Sequence, residues 1–309
     1  MDTIPSEILT YILSDLDAPL APYAGVCRAF QYVIETRTFR QIQIIHGTLP
    51  SVRRFDAIFG DKRRRYLLRE LEFNIALPNK LKHDRKRPLK YLRDRAFTLA
   101  LNRLFMCLEK WNCIPEGLER PPSFTLRIRC TTPDVDYGAV HNNHKHLQFD
   151  ELQSLPTLEC VEKLRIQHLQ IFPRDMALIC GALPCLRDLR WDLGNVPRRL
   201  GDLRADLRNS MATALLQTDF SRLETLHIQW IDHDPVNHDW RPETYVDAHG
   251  RDHLSIGVNR IMKLPHLKKL YLDGCFILSP EVFDMNCEDV PKSLECLGIE
   301  SCLVTPAGG

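Results

Sequence analysis

Apolar positions along this chain keep two rhythms, one of short helices near the N-terminus and one of strands alternating with helices beyond it. Ile8, Leu9, Ile12, Leu13 and Leu16 recur at spacings of one, three and four. That spacing predicts a helix with an apolar stripe along one side. Pro5 suits the first helical position, where its missing N–H would be unpaired anyway, and Ser6-Glu7 give a first turn favoured by the helix dipole. Asp17-Ala18-Pro19 ends it. A second apolar set, Leu20, Tyr23, Val26, Cys27, Phe30, Ile34 and Phe39, keeps helical spacing, with Arg28, Gln31, Glu35 and Arg37 between as solvent-facing positions. Three short helices cannot bury all these groups among themselves, so the following domain or a partner is expected to cover part of them.

Further along, one template recurs: Val161-(x)2-Leu164-(x)-Ile166-(x)2-Leu169, Leu186-(x)2-Leu189-(x)-Trp191, Leu223-(x)2-Leu226-(x)-Ile228, Leu267-(x)2-Leu270-(x)-Leu272-(x)2-Cys275 and Leu294-(x)2-Leu297-(x)-Ile299-(x)2-Cys302. This is the leucine-rich pattern L-x-x-L-x-L-x-x-C, in which the L-x-L is a short strand with alternate side chains inward. Leu155-Pro156, Leu183-Pro184, Leu264-Pro265 and Val290-Pro291 mark helix ends ahead of four of the strands. One-sided apolar patterns predict helices at 175–183, 205–216 and 254–264. Weaker copies stand upstream at Phe39-(x)2-Ile42-(x)-Ile44, Leu68-(x)2-Leu71-(x)-Phe73 and Phe124-(x)-Leu126-(x)-Ile128. Strand centres are separated by roughly 25 to 50 residues, a range that extends well beyond the ~20–29 of a regular leucine-rich repeat, so the array is irregular. The strongly apolar segment 96–111 is expected to pack between strands. The seven residues after Cys302 offer no polar cap for the last repeat, so either the chain is a shortened form or a partner covers that end.

Composition narrows the classes. The chain has 309 residues, a net charge of +1 and a 44% hydrophobic fraction, as in an ordinary folded protein larger than one compact core. No apolar run approaches the ~18 residues that span a bilayer, and the first residues do not read as a secretory signal. A cytoplasmic or nuclear protein without a membrane segment is expected. The 11 cysteines include no close C-x-x-C pair and recur inside apolar patterns, as reduced core thiols would.

Candidate chemistry is sparse. The glycine-rich phosphate loops, the esterase elbow and the H-E-x-x-H zinc motif are all missing from the sequence, which disfavours an enzyme, and no cofactor or metal is expected. Asp232-His233-Asp234-(x)3-His238-Asp239, with Asp247, His249, Asp252 and His253, is dense in metal-ligating types. Its spacing fits no metal template, and a solvated loop is the expected state, as it is for His141, His144 and His146. The basic stretches Lys62-Arg63-Arg64-Arg65 and Lys80 through Arg95 suit nuclear import or a solvated face. Without interleaved aromatics beyond Tyr91 they give nucleic acid little to stack on.

The N-terminal residues also carry a resemblance. Ile4-Pro5-Ser6-Glu7-Ile8-(x)4-Leu13-(x)2-Leu16-(x)3-Leu20, then Val26-Cys27-Arg28-(x)-Phe30 and a closing Phe39, resembles an F-box. Leu20 through Phe39, with Arg63-Arg64-Arg65 and Asn102 through Trp111, is more narrowly similar to a group of fungal F-box proteins with long C-terminal regions. The expected fold class is therefore α/β: an N-terminal three-helix F-box at residues 1–45, a linking region of degenerate repeats and helices at 46–150, and an irregular leucine-rich-repeat solenoid of short parallel strands and helices at 151–309. The resemblance implies a substrate-recognition adaptor that docks on the Skp adaptor of a cullin–RING ubiquitin ligase. Residue by residue, it assigns docking to Ile4, Pro5, Ile8, Leu9, Leu13, Leu20, Val26 and Cys27. Packing inside the three-helix unit competes for these positions and is the favoured role for Leu13, Leu16 and Phe30, while Pro5 at an exposed helix start discriminates best. Free strand positions Arg165, Gln167, Arg190, His227, Gln229 and Tyr271 are the expected contacts for an unknown protein substrate. The alternative is a leucine-rich-repeat scaffold whose F-box is vestigial and recruits no ligase.

Overall fold

The computed structural model of the chain describes residues 4–15, 20–46, 49–78, 88–113, 120–130, 146–150, 154–194, 201–230, 245–284 and 293–301. The N-terminal stripe forms α1 (Ser6–Ser14). Pro5 is its cap rather than its first residue, and the Pro5 carbonyl accepts from the amides of Ile8 and Leu9 at 3.1 Å. The second expected helix is a short 3₁₀ turn, Ala21–Gly25, and α2 (Arg28–Thr38) comes after it. Leu9, Leu13, Val33 and Ile34 make the small core of this unit, with Leu20, Ala24, Ala29 and Phe30 packed around it. Leu16 lies outside the described residues.

Glu35 does not face solvent as its helical position suggests. It is buried and ion-paired with Arg63 and Arg64. After α3 (Leu49–Ile58), those arginines open α4 (Lys62–Leu67). A carboxylate that periodicity assigns to water thus ties α2 to α4.

Eight strands, β1 (Gln41–His46), β2 (Glu70–Ile75), β3 (Phe124–Cys130), β4 (Val161–Gln167), β5 (Asp188–Asp192), β6 (Thr225–Trp230), β7 (Lys269–Phe276) and β8 (Cys296–Ser301), form one wholly parallel sheet in chain order. The three weak upstream copies are β1, β2 and β3. Because β3 pairs with β4, the sheet crosses residue 150 without a break, and one core runs from Ile44 to Val282.

The crossovers carry α5 (Leu89–Glu109), α6 (Pro173–Gly181), α7 (Gly201–Gln217) and α8 (His253–Met262). Each step moves along the sheet in one direction, and right-handed crossovers then put every helix on the same face. In agreement, α6 packs on α7 and α7 on α8.

Strand alternation supplies the inner surface. Leu71, Leu126, Leu164, Leu189, Leu226 and Leu270 are direct neighbours across successive strands, all buried. Burying each is worth about 1.5–3 kcal/mol, which fixes the register, since a one-residue slip would turn the whole row outward. Trp111, just beyond α5, stacks on Phe55 at 5.7 Å and lies 5.4 Å from Phe59, joining α3 to this core.

Cys107, Cys160 and Cys180 sit in the same core, and burial pushes each thiol up to about 12. The thiolate is the reactive form. A thiol reagent at about pH 8 is therefore expected to label the exposed Cys113 in the native chain and to spare these three until denaturant is added. Peptide mass mapping reads the outcome, and native labelling of Cys160 or Cys180 would count against the packing described.

Candidate partner-docking surfaces

The apolar stripe of α1 is wider than one face and is split by folding. Leu9 and Leu13 turn inward, Leu9 being 2% exposed, whereas Ile8 is 51% and Tyr11 70% exposed. Ile4 and Ile12 lie on the outer side as well, and Val26, after the 3₁₀ turn, is 60% exposed. Among the residues expected to dock, Ile4, Pro5, Ile8 and Val26 are on the surface, and Leu20 and Cys27 are half-buried. Leu9 and Leu13 lie in the interior, the role favoured for Leu13 from its sequence position and the competing role for Leu9, because a helix turns 100° per residue and only the 8/12 edge of the stripe clears the unit's own core. Apolar side chains left in water this densely on so small a unit make this edge a candidate docking surface.

The second surface is the face of the sheet opposite the buried leucine row. Arg165, Arg190, His227 and Tyr271 are successive neighbours in one cross-strand row, and Gln229 stands two residues along from His227. Gln167 lies beside Arg129 of β3. All six expected substrate contacts are thus brought to one face by the period of two along each strand. The glycine at position 298 belongs to this row: a Cβ there would come within 3.0 Å of the Tyr271 ring.

The charges on this face are unevenly paired. Glu70 accepts from Gln41 at 3.0 Å and pairs with Arg127 at 3.1 Å. Glu72 accepts from Gln43 at 3.0 Å and Asn74 at 3.1 Å, and pairs with Arg129 at 3.4 Å. Burial pushes the Glu72 carboxyl up, but these donors outweigh it and hold it below its usual range. His227 Nε2 lies 2.5 Å from the Asp273 carboxylate, with the Tyr271 ring edge-on at 5.7 Å. Arg165 and Arg190, by contrast, stand side by side, about one strand spacing of ~4.8 Å apart, with no hydrogen-bond or ion-pair partner among the described residues. Arg127, Arg129 and Asp273 were legible as strand positions of the weaker copies and of the fourth strong one, yet nothing in the sequence singles them out.

The carboxylates suggestive of a metal do other work. Asp247 accepts from the amides of His249 and Arg251 and from the His253 ring, and these bonds draw its carboxyl down to about 2. Asp252 caps α8. Residues 232–239, His141 and His144 lie outside the described residues, as does much of the basic stretch from Lys80. Among the described residues no helix is long and apolar enough to cross a membrane. Compared with known proteins, the chain matches no family model, no curated protein and no solved structure.

Proposed function

We propose that this chain is a substrate-recognition adaptor: an N-terminal F-box that docks on the Skp adaptor of a cullin–RING ubiquitin ligase, followed by a leucine-rich-repeat solenoid that holds a protein substrate. The observation that carries the reading is the outer edge of α1, where Ile4, Ile8 and Ile12 remain in water although the unit has a core of its own. The F-box resemblance supplies the partner for that edge. The parallel sheet in chain order, with helices on one face and polar residues on the other, suits a repeat array that presents a broad surface. Arg165 and Arg190, side by side on this face with only Asp192 among the described residues acting on Arg190, favour an acidic segment of the substrate. The chain performs no bond chemistry in this reading; it raises the effective concentration of substrate lysines near the ligase's charged conjugating enzyme.

A pull-down of the purified chain with its host's Skp adaptor tests the reading. Wild type is expected to bind stoichiometrically. Ile8→Asp/Val26→Asp, which puts carboxylates at two exposed apolar positions of the unit, is expected to weaken binding by about 100-fold or more with the thermal midpoint unmoved. Failure of the wild type to bind would leave a repeat scaffold with a vestigial F-box.

A further inference from the structure

A second concave site lies between the N-terminal helices and the first two strands. It is a cleft of about 680 Å³, walled by Tyr32 and Thr36 of α2, by Lys62, Arg63, Tyr66 and Leu67 of α4, and by Arg40 and Arg69 at the entries to β1 and β2. The two entry arginines are held together by the sheet, since the Arg69 amide donates to the Arg40 carbonyl at 2.8 Å. The volume is in the range of small-molecule sites.

The polar accounting of this cleft is one-sided. No carboxylate lines it among the described residues. Arg63 is answered by Glu35 behind the wall, and the Tyr66 hydroxyl is spent on the Arg120 carbonyl at 3.1 Å. Arg40, Lys62 and Arg69 have no side-chain partner among the described residues, and all three are exposed.

We propose that this cleft binds a small, multiply charged phosphate compound, with Arg40, Lys62 and Arg69 meeting its oxygens and the two tyrosine rings walling its sides. Guanidinium groups match phosphate oxygens in pairs, and several cations converging on one concavity retain affinity where a single surface pair would be screened away. Nucleotides and bare polyphosphates share this chemistry. The site stands apart from the ligase reading, because its lining includes none of Ile4, Ile8 or Val26.

The full chain titrated with tripolyphosphate at about 0.15 M salt is expected to bind with a dissociation constant below about 100 µM and to show a dose-dependent rise in thermal midpoint. Arg40→Glu/Arg69→Glu is expected to weaken binding about 30-fold or more. Arg165→Glu/Arg190→Glu on the sheet face is the control and is expected to change affinity by less than about twofold. ATP binding more tightly than tripolyphosphate would assign the tyrosine walls to a base, and equal binding would assign the site to polyphosphate alone; both support it. No saturable binding by the wild type, or equal weakening by the sheet-face control, overturns it.

Discussion

Asp252→Ala is expected to lower the unfolding free energy by about 3–5 kcal/mol, among the largest effects of any single change in the chain. Arg208 on α7 and Asp252 at the start of α8 are both almost wholly buried, and Arg208 Nη2 reaches both carboxylate oxygens at 2.7 Å. The same carboxylate accepts from the Leu254 amide at 3.2 Å and from the Ser255 hydroxyl, while the Arg208 guanidinium lies 4.8 Å over the Tyr245 ring. Removing the carboxylate leaves a buried guanidinium without its counter-charge and a helix without its cap. Burial already pulls the Arg208 pKa down and Asp252 pulls it back up, so the loss falls on a buried charge left with the Tyr245 ring beside it. Denaturant unfolding measures the change. Asp252→Asn keeps an oxygen for the Leu254 amide, so its smaller loss, by about 1 kcal/mol, separates the cap from the ion pair. A loss under about 1 kcal/mol for Asp252→Ala would mean that Arg208 is not held this way.

Acid is expected to weaken the fold through His146. Its Nε2 stands 2.8 Å from the Leu193 carbonyl, which can only accept, so the proton is on Nε2 and Nδ1 is bare, shielded and without a partner among the described residues. Burial pushes this histidine from its ordinary 6.5 to about 4; the Leu193 bond opposes the shift and Lys90 adds to it. The folded pKa lies below the unfolded one, so the unfolded chain takes up the proton first as pH falls. The stabilisation is whole above about pH 6.5, is lost progressively toward about pH 4, and amounts to about 3 kcal/mol. Buried Asp175, whose carboxyl is pushed up by burial, contributes with the opposite sign. Comparing wild type with His146→Gln, which keeps a donor for Leu193 and does not titrate, isolates the histidine. Their unfolding free energies are expected to converge as pH falls from about 7 to about 4.5. Parallel pH profiles would contradict the buried neutral ring.

The range of the forces involved decides which features the sequence revealed and which it hid. Period-two and period-3.6 patterns are local, so α1, α6, α7, α8 and the strands from β4 onward were legible, and even the weak copies at Ile42, Leu71 and Leu126 proved to be strands of the same sheet. The side of a stripe that meets its own core is not local. Leu9 and Ile8 are equally apolar, and only the position of Val33 and Ile34 on α2 decides which is covered. Glu35 was misplaced for the same reason, since the arginines that bury it lie 28 and 29 residues away. The six strand residues offered for a substrate did reach one face, because alternation alone puts them there. The basic cleft draws on four segments, Tyr32/Thr36, Arg40, Lys62–Leu67 and Arg69, whose approach no spacing announces.

Hydroxyl-radical footprinting of the chain with and without the Skp adaptor tests the central claim most directly, because it reads single side chains without substituting any of them. Docking through the outer edge of α1 predicts protection of Ile4, Ile8, Tyr11 and Val26, with Leu99 and Met106 on the outer side of α5 reacting as before. Binding that protects α5 or the sheet face while Ile8 and Tyr11 stay fully reactive would contradict it.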